Sequence, residues 1–241
     1  MEQAIKRLFG YPLADEYARQ ILANLNMVNK LSELRWVVFG DSLSQPNTDG
    51  LDKYSDLIAS RNNMYVKSYA RGGCGWFKSN SSNTWGSGNI ASQIEEAEAD
   101  YDIVSIMAGV NELGLVSTKL GSKTDTITAT PETLCGAVKK TLEDVIAKYP
   151  LSTIFVMLSI PGETLNALTH DGVEPYYNAI KEICGLYNIP CLDLCHTSNL
   201  RPWNADNKAK FYRDYIHLNA EGQEYISCII ENFLLTLVEE R

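Results

Sequence analysis

The chain predicts an α/β fold in which a mostly parallel, five-stranded sheet is covered by helices on both faces. Short apolar runs such as Trp36-Val37-Val38-Phe39 have the β-branched and aromatic content of buried strands. They alternate with segments whose apolar residues recur every three or four positions, the period of an amphipathic helix. The first strand stops at a glycine and delivers an acid and a serine, Gly40-Asp41-Ser42-Leu43-Ser44. A buried strand of such a sheet ends at the edge where ligands bind, which places Ser42 where a nucleophile works. Gly, Asp and Ser are also ordinary turn residues, so this stretch alone does not distinguish a site from a turn.

Taken in order, Ala14 to Leu34 carries Tyr17, Ile21, Leu22, Leu25, Val28 and Leu31 at helical spacing and reads as an amphipathic helix. After the first strand, Gln45 to Gly50 is turn-rich and Leu51 to Ser60 is a helix with Tyr54, Leu57 and Ile58 inward. Met64 to Tyr69 and Asp102 to Met107 are strands, and Thr133 to Lys148 is a helix closed by Pro150. Thr153 to Ser159 is the fourth strand and Ile189 to Leu194 the fifth, with a helix from Tyr176 to Tyr187 between them. Glu221 to Val238 is the terminal helix, with Asn219 placed to cap it. Lys78 to Asn89 and Lys119 to Thr130 are polar loops too short to be interdomain linkers.

Composition narrows the function classes. With 241 residues, 45% of them hydrophobic, the chain can bury one large core. A net charge of −9 and a pI near 4.9 argue against nucleic acid or an anionic membrane surface as partner. No stretch approaches the roughly 18 uninterrupted apolar residues of a membrane span. Met1 to Leu34 carries charges throughout and lacks the apolar core and cleavage site of a signal peptide, so the expectation is a cytoplasmic protein or one released without Sec export. Six scattered cysteines do not make a disulfide framework, and Cys184, Cys191, Cys195 and His196 lack the paired spacings of a structural zinc site. Reduced thiols are expected, with no metal and no cofactor.

The strand ends read together as a kit for acyl transfer. Gly40-Asp41-Ser42, Ala70-Arg71-Gly72-Gly73-Cys74-Gly75 and Gly109-Val110-Asn111-Glu112 follow the first three strands, and Asp214-Tyr215-Ile216-His217 precedes the last helix. A serine hydroxyl becomes a useful nucleophile only when an imidazole takes its proton, and that imidazole needs an acceptor on its other nitrogen. Asp214 and His217, three apart, meet this if the segment turns tightly. The backbone N–H groups of Ser42 and of a glycine in Gly72-Gly73, with the Asn111 side-chain amide, are candidate donors to an oxyanion.

On these residues the chain resembles the SGNH, or GDSL, hydrolase family over roughly residues 35 to 235. Gly40-Asp41-Ser42-Leu43-Ser44 matches its first block, Gly109-x-Asn111 its third and Asp214-x-x-His217 its last. The resemblance implies a flavodoxin-like three-layer α/β/α sandwich, assigned to residues 35–241, and leaves residues 1–34, read above as helical, as an N-terminal extension that it does not explain. It implies Ser42 as nucleophile, His217 as base and Asp214 as its orienter, with Ser42, Gly73 and Asn111 as oxyanion donors. Gly75 stands in reserve for Gly73. Glu112 departs from the aspartate usual after that asparagine. Of the other histidines, His170 has no comparable setting, and His196 repeats the same spelling in Asp193-Leu194-Cys195-His196. An aspartate inside a strand is expected to point its side chain differently from one in a loop, and no capped helix is expected to follow.

Trp76, Phe77, Trp85, Trp203 and Tyr212 lie in polar or turn-rich segments flanking the predicted site, where aromatic rings receive a sugar face or an acyl chain; Trp76, Trp85 and Trp203 are the candidate substrate contacts. The function this favours is a serine esterase removing short acyl groups such as O-acetyl from a carbohydrate or small-molecule ester. The alternatives are a lysophospholipase or thioesterase, or a glycan-binding module without turnover. The acidic runs Glu95-Glu96-Ala97-Glu98 and Glu239-Glu240 read as solvated helix faces.

Overall fold

The computed structural model describes residues 29–46, 50–77, 88–114, 119–163 and 174–238. Strands β1 (Arg35–Gly40), β2 (Tyr65–Ser68), β3 (Ile103–Met107), β4 (Thr153–Leu158) and β5 (Cys191–Asp193) form one parallel sheet in the order β2-β1-β3-β4-β5. That is the flavodoxin-like order, whose direction of winding reverses between β1 and β3 and opens a crevice at their C-terminal ends. Gly40 registers against Met107 there, so Ser42 and Asn111 leave neighbouring strand ends.

Alternation along each strand divides the core between two faces. Val37, Phe39, Val104, Ile106, Val156 and Leu158 face helices α2 (Ile90–Glu96), α4 (Leu134–Lys148) and α5 (Glu174–Leu186). Trp36, Val38, Ile103, Met107, Phe155 and Met157 face α1 (Tyr54–Asn62) and the long α8 (Ala220–Val238). Both sides of β1, β3 and β4 are therefore dry, as the unbroken apolar runs require. Short helices α3 (Val110–Gly114), α6 (Leu194–Thr197) and α7 (Ala205–Phe211) follow β3, β5 and the loop after α6. Side chains cap several helices: Thr133 accepts from the Gly136 N–H at α4, Asn89 from Ser92 at α2, and Asn219 from Gly222 at α8. Among the described residues no helix is long and apolar enough to cross a membrane, and all six cysteines are free thiols.

The core strands fall where the apolar runs place them, with β2 and β5 shortened at both ends, β3 at its start and β4 at its end. Helix α1 starts at Tyr54 rather than Leu51. Helices α2, α3, α6 and α7 are short enough that no apolar period marks them. The amphipathic span from Ala14 lies outside the described residues up to 28. Residues 29–34 form turns, with the Ser32 N–H on the Asn29 carbonyl and Leu34 on Leu31, so that helix does not reach Leu34. Leu31 is nonetheless fully buried beneath the α1/α8 face.

One buried side chain ties α2 to the end of β1. The Gln93 amide is fully enclosed; its Oε1 accepts the Gly40 N–H at 3.0 Å and its Nε2 donates to the Gly40 carbonyl at 2.9 Å. The residue that launches the Ser42 loop is thus held on both of its backbone polar atoms. Gln93→Leu keeps the volume and leaves the Gly40 N–H without an acceptor, so chemical denaturation should show a loss of about 1–3 kcal/mol.

Candidate active site

The segment before α8 is built around Asp214. Its Oδ1 accepts the backbone N–H of Ile216 at 2.9 Å and of His217 at 2.6 Å, closing the turn, while Oδ2 sits 2.9 Å from His217 Nδ1. Tyr212 and Leu218 bridge in antiparallel fashion and pinch the ends of this loop together. The other ring nitrogen, Nε2, lies 2.9 Å from Ser42 Oγ. Burial pushes the Asp214 carboxyl up, but the two backbone N–H bonds and the imidazole outweigh it and hold the group below the usual aspartate range. An ionised carboxylate at Nδ1 favours the tautomer that leaves Nε2 free to accept a proton.

Ser42, half-buried, follows a fully buried Asp41 whose Oδ1 accepts the Leu43 N–H at 2.9 Å. The loop after β2 lies beside it. Gly72 donates its N–H to Gln45 Oε1 at 2.7 Å, and a Cβ at Gly72 would stand 3.8 Å from Ser42 Cβ. Gly73 adopts φ +74°, which a side chain would strain. Among the described residues no acceptor takes the N–H of Ser42 or of Gly73. Asn111, in the first turn of α3, donates from Nδ2 to the Cys74 carbonyl at 2.7 Å, which uses one of its amide hydrogens and aims the other.

Gly75 has different company. The Glu112 carboxylate lies on its backbone so closely that a Cβ there would come within 2.1 Å of Oε1, and the same oxygen accepts the Phe77 N–H at 3.0 Å. The Glu112 side chain thus reaches both residues. Glu112 is fully buried, as is Asp41.

The second Asp-x-x-His folds in the same way as the first, contrary to the expectation that its strand position would misalign it. Asp193 Oδ1 caps α6 through the His196 N–H at 3.1 Å and also faces His196 Nδ1 at 2.8 Å. The two differ at the far nitrogen: His196 Nε2 meets Glu174 at 3.1 Å, where His217 meets the serine. His170 lies outside the described residues. Trp76 is corrected from a substrate contact to a core residue, since its ring is fully buried on the α2/α4/α5 face with the indole N–H on the Ala108 carbonyl. Tyr212 is likewise buried, its hydroxyl donating to the Pro161 carbonyl at 2.7 Å. Trp85 lies outside the described residues, and Trp203 is 41% exposed. Gln93 and Gln45 were legible only in three dimensions, as single amides reaching across from other elements.

Burial lifts the Asp41 carboxyl to about 7, with the Leu43 N–H pulling the other way and the Glu112 carboxylate adding to the rise. Between the unfolded value of about 4 and this native value, the folded protein holds a proton that the unfolded chain has released. Native stability from this group therefore falls as pH rises through that window. Asp41→Asn retains the Leu43 bond and removes the titration. Its stability relative to the parent should climb from pH 4 to pH 7 and level off above, in denaturant unfolding measured at each pH.

Comparison with known proteins agrees with this architecture. No curated protein matches the chain. Among solved structures it is similar to a protein from Lactobacillus plantarum (20% identity, 85% of this chain and 98% of that one, TM-score 0.73). It is also similar to a member of the lipolytic G-D-S-L family from Veillonella parvula (16%, 80% and 94%, TM-score 0.53) and to an acetyl xylan esterase (16%, 83% and 99%, TM-score 0.58). At these identities the likeness establishes the shared fold. The family model of the GDSL-like lipases and acylhydrolases matches residues 38–225, spanning every strand of the sheet but the start of β1, and the chain belongs to that family.

Proposed function

We propose that this protein is a serine esterase that cleaves carboxylic esters through an acyl-enzyme. The observation that carries the reading is the single line of contacts from Asp214 through His217 to Ser42, 2.9 Å at each link. Ser42 Oγ attacks the ester carbonyl as His217 Nε2 takes its proton; the tetrahedral intermediate collapses, and the alcohol leaves with that proton. Water then attacks the acyl-enzyme, again giving a proton to His217, which returns it to Ser42 as the acid departs. Asp214 keeps the ring oriented and stabilises its charged form.

The oxyanion forms against the N–H of Ser42, the N–H of Gly73 and the second amide hydrogen of Asn111. Gly75 is the poorer donor, because an oxyanion there would face the Glu112 carboxylate. The acyl group is short and the alcohol a carbohydrate: the similarity to an acetyl xylan esterase and the exposed indole of Trp203 support this choice.

Hydrolysis of p-nitrophenyl acetate should exceed that of the decanoate, and a fluorophosphonate should label the peptide containing Ser42. Ser42→Ala and His217→Ala should each lower kcat by about 10³-fold or more. Asp214→Asn, which preserves the turn but presents the wrong partner to Nδ1, should cost about 10³–10⁴-fold, and Asn111→Ala about 10²–10³-fold. A decanoate preference would favour a lysophospholipase or thioesterase. Neither hydrolysis nor labelling would favour a glycan-binding module.

A further inference from the structure

A cavity of about 240 Å³ opens beside the Asp214–His217 loop, between the loop after β4 and the segment after α6. Pro161 forms one wall, and that wall is stitched to the loop. Its carbonyl accepts the Tyr212 hydroxyl, the Glu163 N–H donates to the Tyr215 carbonyl at 2.7 Å, and Gly162 lies against the Ile216 side chain. The opposite wall presents Trp203, Arg201, Asn199 and His196.

Arg201 is unlike the other described arginines. Arg35 faces Asp100, Arg61 faces Glu224 and Glu231, Arg71 faces Glu96, and Arg213 faces Asp214. Arg201 faces no carboxylate among the described residues, in a chain with 30 acidic and 21 basic residues. Its guanidinium donates to the neutral Asn199 amide oxygen and its backbone N–H to Asn207 Oδ1 at 2.8 Å, so it is positioned with donors left over. The His196 ring on the same wall is hydrogen-bonded to Asp193 and Glu174, and Lys181 also pairs with Asp193 at 3.0 Å. A half-exposed indole next to a spare guanidinium offers a flat apolar face and a bidentate anion fork together.

We propose that this cavity receives the alcohol half of the ester as a sugar ring bearing a carboxylate, the ring face on Trp203 and the carboxylate on Arg201. The assignment rests on the esterase reading above, with the acyl group held at Ser42 and the alcohol extending past His217 toward Pro161.

Binding and turnover are measured separately so that the two readings fail separately. Calorimetric titration with trigalacturonate, and with neutral xylotriose for comparison, reads the cavity; hydrolysis of p-nitrophenyl acetate, which carries no sugar, reads the ester chemistry. Trigalacturonate should bind more tightly than xylotriose. Arg201→Gln should weaken trigalacturonate about tenfold with little effect on xylotriose, whereas Trp203→Ala should weaken both. Equal affinity for the two sugars, or an Arg201→Gln effect of the same size on both, overturns the acidic-sugar assignment while leaving the esterase intact. Trigalacturonate binding without any ester hydrolysis by the parent protein overturns the esterase reading, and with it the cavity's role as an alcohol site.

Discussion

The contact between His217 Nε2 and Ser42 Oγ joins residues 175 positions apart, and the rest of the molecule is arranged so that it can form. A parallel sheet sends all of its strand C-termini to one edge, so loops remote in sequence become neighbours without any local signal linking them. Here β1 supplies the serine, the loop after β2 the glycines, the turn after β3 the asparagine, and the segment before α8 the histidine. The histidine loop is rigid for its own reasons: Asp214 spends one oxygen closing the turn through two backbone N–H groups and the other on the imidazole. One carboxylate thereby fixes the loop and the ring together.

Beneath the serine the structure keeps costly groups. Asp41 and Glu112 are both buried, and one Asp41 oxygen has no hydrogen-bond partner among the described residues. Burial is what raises the Asp41 proton affinity, and the neighbouring Glu112 adds to the rise. Gln93, also buried, supplies a satisfied counterpart by matching both backbone polar atoms of one residue, Gly40. Polar groups with fixed partners make the base of the Ser42 loop rigid, which suits a hydroxyl that meets the His217 imidazole in one orientation.

The paired Asp-x-x-His segments show how much local chemistry leaves undecided. Both aspartates accept the backbone N–H three residues on, and both present an oxygen to the following histidine's Nδ1. Local sequence therefore specifies the dyad, and only the surroundings specify its use: a serine at one far nitrogen, a glutamate at the other. The tryptophans divide in the same way. Trp76 and Trp203 both lie in turn-rich sequence, yet one is enclosed against the Ala108 carbonyl and the other stands at the rim of a cavity.

The apolar runs and their alternation with helical periods were sufficient to establish the α/β class, the five strands and the serine at a strand end, because burial on both faces of a parallel sheet writes itself into consecutive residues. The motif residues Ser42, Asn111, Asp214 and His217 were legible for a related reason: each sits where an element ends, and element ends are marked by glycine and capping residues. What only the folded chain decided depends on approach across space. That Gln93 grips Gly40, that Glu112 covers Gly75, that Arg201 faces no acidic partner among the described residues and that His217 rather than His196 reaches the serine are all facts of which elements become neighbours. Sheet order settles them, and sheet order is set by long-range packing that no single stretch of sequence contains.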